Sequence, residues 1–127
     1  MKIKGLTLLI LFLCSVVGIL TAQTVTIQYE KGNVRSEYAA RKLTESLAEK
    51  GYVIGQNSIR TDYVIQLTKD ENSLTNEAFA IEPAGSLIKI SGGDDRGLIY
   101  GALALAESIQ NGTPLAKIKK VNEKPRL

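Results

Sequence analysis

Six consecutive residues, Gly92-Gly93-Asp94-Asp95-Arg96-Gly97, hold the densest chemistry in this chain of 127 residues. Glycines that open a helix present backbone N–H groups, and such a corner is a ready anion site. A phosphate loop would also need a Lys-Ser/Thr pair after the glycines, or a spaced G-x-G-x-x-G; neither is present. Two aspartates at the helix start also repel a phosphate. The same aspartates suggest the carboxylate pair of a glycosidase, which needs carboxyl groups about 5–10 Å apart across a bound sugar. Neighbours on a helix cap rarely point into one cleft, and no aromatic wall accompanies them. Capping suits them better: Asp94 or Asp95 accepts from the first free N–H groups and complements the helix dipole. Gly97 and Gly101, one turn apart, let the back of the helix approach a sheet or another helix closely.

The rest of the chain offers little reactive chemistry. It has no His and no Trp, and its single Cys is Cys14. The commonest general base and metal ligand is therefore missing, as is the flat indole platform on which sugars stack. With no Cys cluster and no H-E-x-x-H, no metal site is expected. No cofactor is expected, no residue is assigned a catalytic role, and no substrate-binding residue is named. Tyr29, Tyr38, Tyr52, Tyr63 and Tyr100 read as core or rim residues rather than a binding strip.

The first 22 residues read as a secretory leader. Lys2 and Lys4 precede an apolar run from Leu6 to Leu20, which ends in small residues suited to cleavage between Ala22 and Gln23. The run is shorter than the roughly 18–20 residues of a spanning helix, so export is expected and not a membrane anchor. Cys14 leaves with the leader, so the exported chain folds without disulfides. Its 14 basic residues then face 13 acidic ones. The sequence pI of about 9.0 stems largely from the leader, and nucleic acid is not an expected partner.

What must position the aspartate corner follows from periodicity. Thr24 to Glu30 alternates, with Val25, Ile27 and Tyr29 on one side, and reads as a half-buried strand. Asn33 is a fair N-cap for a helix from Val34 to Lys50, which Gly51 stops. Tyr52 to Ile59 is ambiguous, with Val53 and Ile54 a short extended piece at most. Thr61 to Lys69 reads as a second strand, and Glu77–Glu82 with Leu87–Ser91 as a hairpin turning at Pro83-Ala84-Gly85. A second helix runs from Asp95 to Gln110 and ends at Asn111-Gly112. The order β-α-β-β-β-α with alternating strands predicts an α+β two-layer sandwich: about four strands, both helices on one face, the other face polar. Domain boundaries follow: 1–22 leader, 23–112 domain, 113–127 a linker or a lone strand.

The second helix is unusual. Its nine residues Leu98 to Ala106 carry no charge, whereas a surface helix normally shows one charged face. The expectation is that something outside this small domain covers it.

These segments together resemble a known family. Glu77-Ala78-Phe79-Ala80-Ile81-Glu82, then Ile88-Lys89-Ile90-Ser91-Gly92, then Asp94-Asp95-Arg96-Gly97 and Tyr100-Gly101 are similar to the N-terminal accessory domain of secreted glycoside hydrolases. The likeness is strongest to the α-glucuronidase N-terminal domain and extends to the related second domain of β-hexosaminidases. The early helix, Glu37 to Leu43, is similar as well, and the resemblance spans Thr24 to about Leu127. It implies a non-catalytic α+β sandwich packed on a (β/α)₈ barrel, with the helix from Leu98 to Ile109 at or near the contact. No residue here matches a catalytic position of such enzymes, whose carboxylates sit in the barrel. The family pattern continues from a Pro-Arg segment into the first barrel strand, whereas this sequence reads Pro125-Arg126-Leu127 and ends, so the expected protein is an accessory domain without its barrel. The function implied is support of xylan-type polysaccharide degradation. The alternative is a stand-alone exported glycan-binding or interaction module that uses the polar sheet face, Thr26, Gln28, Gln66 and Thr68.

Overall fold

The computed structural model describes residues 22–55 and 60–124. The leader read at the N-terminus, apart from Ala22, lies outside the described residues. Strand β1 (Thr24–Gln28) leads into helix α1 (Val34–Glu49). The Asn33 side-chain oxygen accepts from the N–H groups of Arg35 (3.0 Å) and Ser36 (3.2 Å), satisfying two of the donors that a helix start leaves free. Gly51, at φ +87°, stops α1 by taking the left-handed conformation that a Cβ disfavours. The chain returns through β2 (Val53–Ile54), parallel to β1 on its outer side. Strand β3 (Tyr63–Lys69) then pairs parallel to the other side of β1.

Strands β4 (Phe79–Ala84) and β5 (Leu87–Gly92) form the hairpin. Ala84 pairs with Leu87, so the turn is Gly85-Ser86, one residue later than the sequence suggests, with Gly85 at φ +60°. Strand β5 inserts beside β3 in parallel, helix α2 (Asp95–Gln110) follows, and a 3₁₀ turn at Leu115–Lys117 leads to β6 (Val121–Glu123), antiparallel to β4. The sheet order is β2-β1-β3-β5-β4-β6.

The α+β sandwich with two helices on one sheet is the observed class, but the sheet has six strands, not about four. The additional pair are edge strands of two and three residues. Segments that short carry no readable alternation, and partner strands define them rather than their own pattern. Val121–Glu123 takes up the strand alternative for the tail, and Leu115 ahead of it is 2% exposed in the core.

Val25, Ile65, Leu67, Ile81, Ile88 and Ile90 form the sheet side of the core, and Leu43, Leu47, Leu98, Ala102, Leu105 and Ile109 the helix side. Burial of each large side chain contributes about 1.5–3 kcal/mol. The opposite face presents Gln28, Gln66, Lys89 and Glu82 in one cross-strand row. No buried side-chain nitrogen or oxygen among the described residues lacks a partner. No helix among them is long and apolar enough to cross a membrane.

The structure corrects the expected cover of α2. Leu98, Gly101, Ala102, Leu105 and Ala106 of its charge-free stretch are buried against the sheet and α1. Gln110 Nε2 also donates to Ser46 Oγ of α1 at 3.1 Å. Small residues on α2 let α1 approach closely, and the two helices cover one another. What stays in water is a narrow ridge, with Tyr100 45% and Leu103 39% exposed.

Candidate functional site: the Gly92–Gly97 corner

The corner sits where β5 ends, α2 begins and the 70–78 loop folds back. Asp94 is the N-cap, extended at φ −151°. Its Oδ1 accepts from Gly97 N–H at 2.8 Å and also from Glu77 N–H at 3.0 Å. Glu77 is the sole non-glycine residue at positive φ (64°) among the described residues, a conformation that costs a bulky residue. Asp94 therefore does two jobs, starting α2 and holding the strained loop residue. Asp94→Ala removes both acceptors and should lower stability by about 1–2 kcal/mol. Urea unfolding checks this; Asp94→Asn, which keeps the acceptor, should recover most of the loss.

Asp95 turns elsewhere. Its Oδ1 lies 3.3 Å from Lys69 Nζ, its Oδ2 lies 3.6 Å from Arg35, and Asn33 Nδ2 donates to Oδ1 at 3.5 Å. It ties the start of α2 to the start of α1 and to the end of β3. The Lys69 ammonium is held above its ordinary value of 10.5, first by its hydrogen bond to Asp95 and then by that carboxylate's charge. The exposed Arg96 pairs with Glu77 at 3.1 Å. The two adjacent aspartates thus serve different neighbours and do not converge across a space that a sugar could enter.

The glycines act by close approach. Gly93 donates its N–H to Ala78 O at 2.9 Å, and Gly97 donates to Asp94, so both glycine donors are spent within the chain. A Cβ on Gly93 would run into Thr75 O, one on Gly97 into Ala78 O, and one on Gly92 into Leu98 N. Gly101 faces Ile90 Cγ2 and Phe79 Cβ, where a Cβ would lie 2.7 Å and 3.2 Å away. The corner is a packing joint in which backbone meets backbone. No group of three or more His, Cys, Asp or Glu that could hold a metal exists among the described residues.

Tyr29, Tyr52 and Tyr63 pack half-buried against the core, as the rim reading expects. Tyr38 carries two cations over its ring, Arg41 at 5.4 Å and Lys42 at 5.6 Å from the centroid. Nothing in the residue pattern signals a cleft of about 500 Å³ between α1 and the β1–β2 edge, lined among others by Tyr29, Lys31, Glu37, Arg41 and Ile54. Its residues come from segments up to 29 positions apart, brought together only by the β1-α1-β2 crossover.

The family model described as glycosyl hydrolase family 20, domain 2, matches residues 18–122. The chain belongs to this family. As a domain of the family 20 domain 2 type it is a glycoside hydrolase accessory domain, the level at which the resemblance read from its residues holds. No curated protein matches it. Among solved structures it is similar to a GH138 enzyme targeting pectin rhamnogalacturonan II, with 24% identity, TM-score 0.64, and 79% of this chain and 15% of that one covered. It is also similar to CpGH84D, with 16% identity, TM-score 0.55, and 78% and 19% covered. A Streptomyces plicatus β-hexosaminidase in complex with product GlcNAc matches at 16% identity, TM-score 0.50, and 68% and 17% covered. At these identities the likeness is one of fold. The chain spans less than a fifth of the length of each of these structures.

Proposed function

We propose that this family 20 domain 2 is the non-catalytic accessory domain of an exported, polysaccharide-degrading glycoside hydrolase, holding a (β/α)₈ catalytic barrel against its helix layer. The observation that carries the reading is the family match over residues 18–122. The small share of each similar structure that the chain spans agrees with a supporting part of a larger enzyme. The narrower assignment, an α-glucuronidase-type enzyme acting on xylan, rests on the motif likeness at Glu77–Glu82 and Asp94–Gly101. Export rests on the leader pattern of residues 1–22. The barrel belongs to the same polypeptide or to a separate chain.

The docking surface is the outer ridge of α2. Arg96, Tyr100, Leu103 and Glu107 follow one another at spacings of three and four, which places them on one helix face. All four are exposed. Two apolar side chains flanked by charges match the apolar centre and polar rim of a domain contact. Sedimentation of the chain with the barrel of its own hydrolase, wild type against Leu103→Asp, tests the reading. The variant should keep its thermal midpoint and bind at least tenfold more weakly, as loss of a central apolar anchor does. Equal binding by the variant, or no association of the wild-type chain with any such barrel, overturns it.

A further inference from the structure

The cleft lies on the flank of α1 that carries Glu37, Arg41 and Thr44, and of its lining residues only Glu45 also borders the groove beside Leu103 and Glu107. Ile27, Ala40 and Ile54 give it an apolar floor, and its volume of about 500 Å³ is that of a small-ligand site. Its charged groups are unevenly committed. Glu37 Oε1 accepts from Gly32 N–H at 3.2 Å, and Glu45 Oε2 lies 3.5 Å from Lys42. Lys31 and Arg41 have no carboxylate partner among the described residues; Arg41 only overlies the outer Tyr38 ring. The Thr44 hydroxyl donates to Ala40 O, which leaves its lone pairs as acceptors. Thr26 reaches the cleft at the strand edge, while its hydroxyl lies on the other sheet face with Thr61.

The wall therefore offers two uncommitted cationic donors beside several acceptors, over an apolar floor. A simple anion would meet the cations and be repelled by Glu37 and Glu45. A neutral sugar would satisfy the acceptors and leave Lys31 and Arg41 unmatched. We propose that the cleft binds a sugar acid, a saccharide ring bearing a carboxylate. Arg41 and Lys31 hold the carboxylate, the glutamates and Thr44 accept from ring hydroxyls, and the apolar ring face lies on Ile27 and Ile54.

Titration of the ¹⁵N-labelled full chain with glucuronate, glucose and acetate at equal ionic strength tests this. Glucuronate should give saturable shifts around Tyr29–Lys31, Arg41–Glu45 and Ile54–Gly55. Glucose and acetate should bind at least tenfold more weakly. Arg41→Gln and Lys31→Gln, both at exposed positions, should each weaken glucuronate about tenfold without moving the thermal midpoint, since each removes a charge-assisted bond. Glucose or acetate binding as tightly as glucuronate overturns the proposal, as do the absence of a saturable shift or variants that bind like the wild type. The outcome is distinguishable from that of barrel docking, because Lys31 and Arg41 line the cleft and neither belongs to α2 or its ridge.

Discussion

Ala102→Glu is expected to leave the chain unfolded at room temperature. Ala102 is 0% exposed in the helix-and-sheet core. A glutamate there adds several heavy atoms beyond the methyl group and a charge with no cationic side chain in the core cluster around it. Overpacking alone costs about 1–3 kcal/mol, and an unpaired buried carboxylate several more, even after its pKa rises to neutralise it. A domain of this size has about 5–15 kcal/mol in total, and small ones lie near the lower end. Far-UV circular dichroism and a urea titration would show the loss. The neighbouring Leu103→Glu is the control: at 39% exposure its side chain reaches water, and its stability should stay within about 1 kcal/mol of wild type. A folded, cooperative Ala102→Glu chain would mean that α2 is not packed as described.

Gly97→Ala is expected to cost about 2–4 kcal/mol, although alanine is the better helix former by about 1 kcal/mol. Gly97 has an ordinary helical backbone, so the effect is not one of conformational freedom. Its Cβ would land on the carbonyl oxygen of Ala78, which accepts from Gly93 N–H and cannot rotate aside as a side chain can. Relief requires α2 to move away from residues 77–78, which weakens the Asp94 bond to Glu77 N–H as well. Gly101→Ala should cost less, because the 2.7 Å neighbour there is a side-chain methyl of Ile90. Urea midpoints for the two variants check the order. An unchanged or raised midpoint for Gly97→Ala would contradict the backbone contact.

The two helices, their caps and the four longer strands are legible in the sequence because each rests on local chemistry. Asn33 caps, Gly51 stops, and Val25 and Ile27 alternate with threonines whatever the rest of the chain does. The aspartate corner is half legible. That Asp94 or Asp95 caps α2 follows from position; that Asp94 caps while Asp95 joins Lys69 and Arg35 needed the neighbours in place. Residues 113–127 show the limit from the other side: a lysine-rich tail looks like a linker until β4 offers it an edge.

By itself the sequence determined that this is an α+β domain with capped helices, no histidine chemistry and the motif of a glycoside hydrolase accessory domain. Those properties reside in residue types and short spacings, which survive without knowledge of what lies opposite. Only the tertiary structure decided what covers the charge-free helix, which of its adjacent residues is core, and that a cleft exists beside α1. The reason is physical: periodicity fixes how many sides of a helix are apolar, but burial is a property of pairs. Ala102 and Leu103 read alike in the chain and differ only because α1 and the sheet lie over one and water over the other.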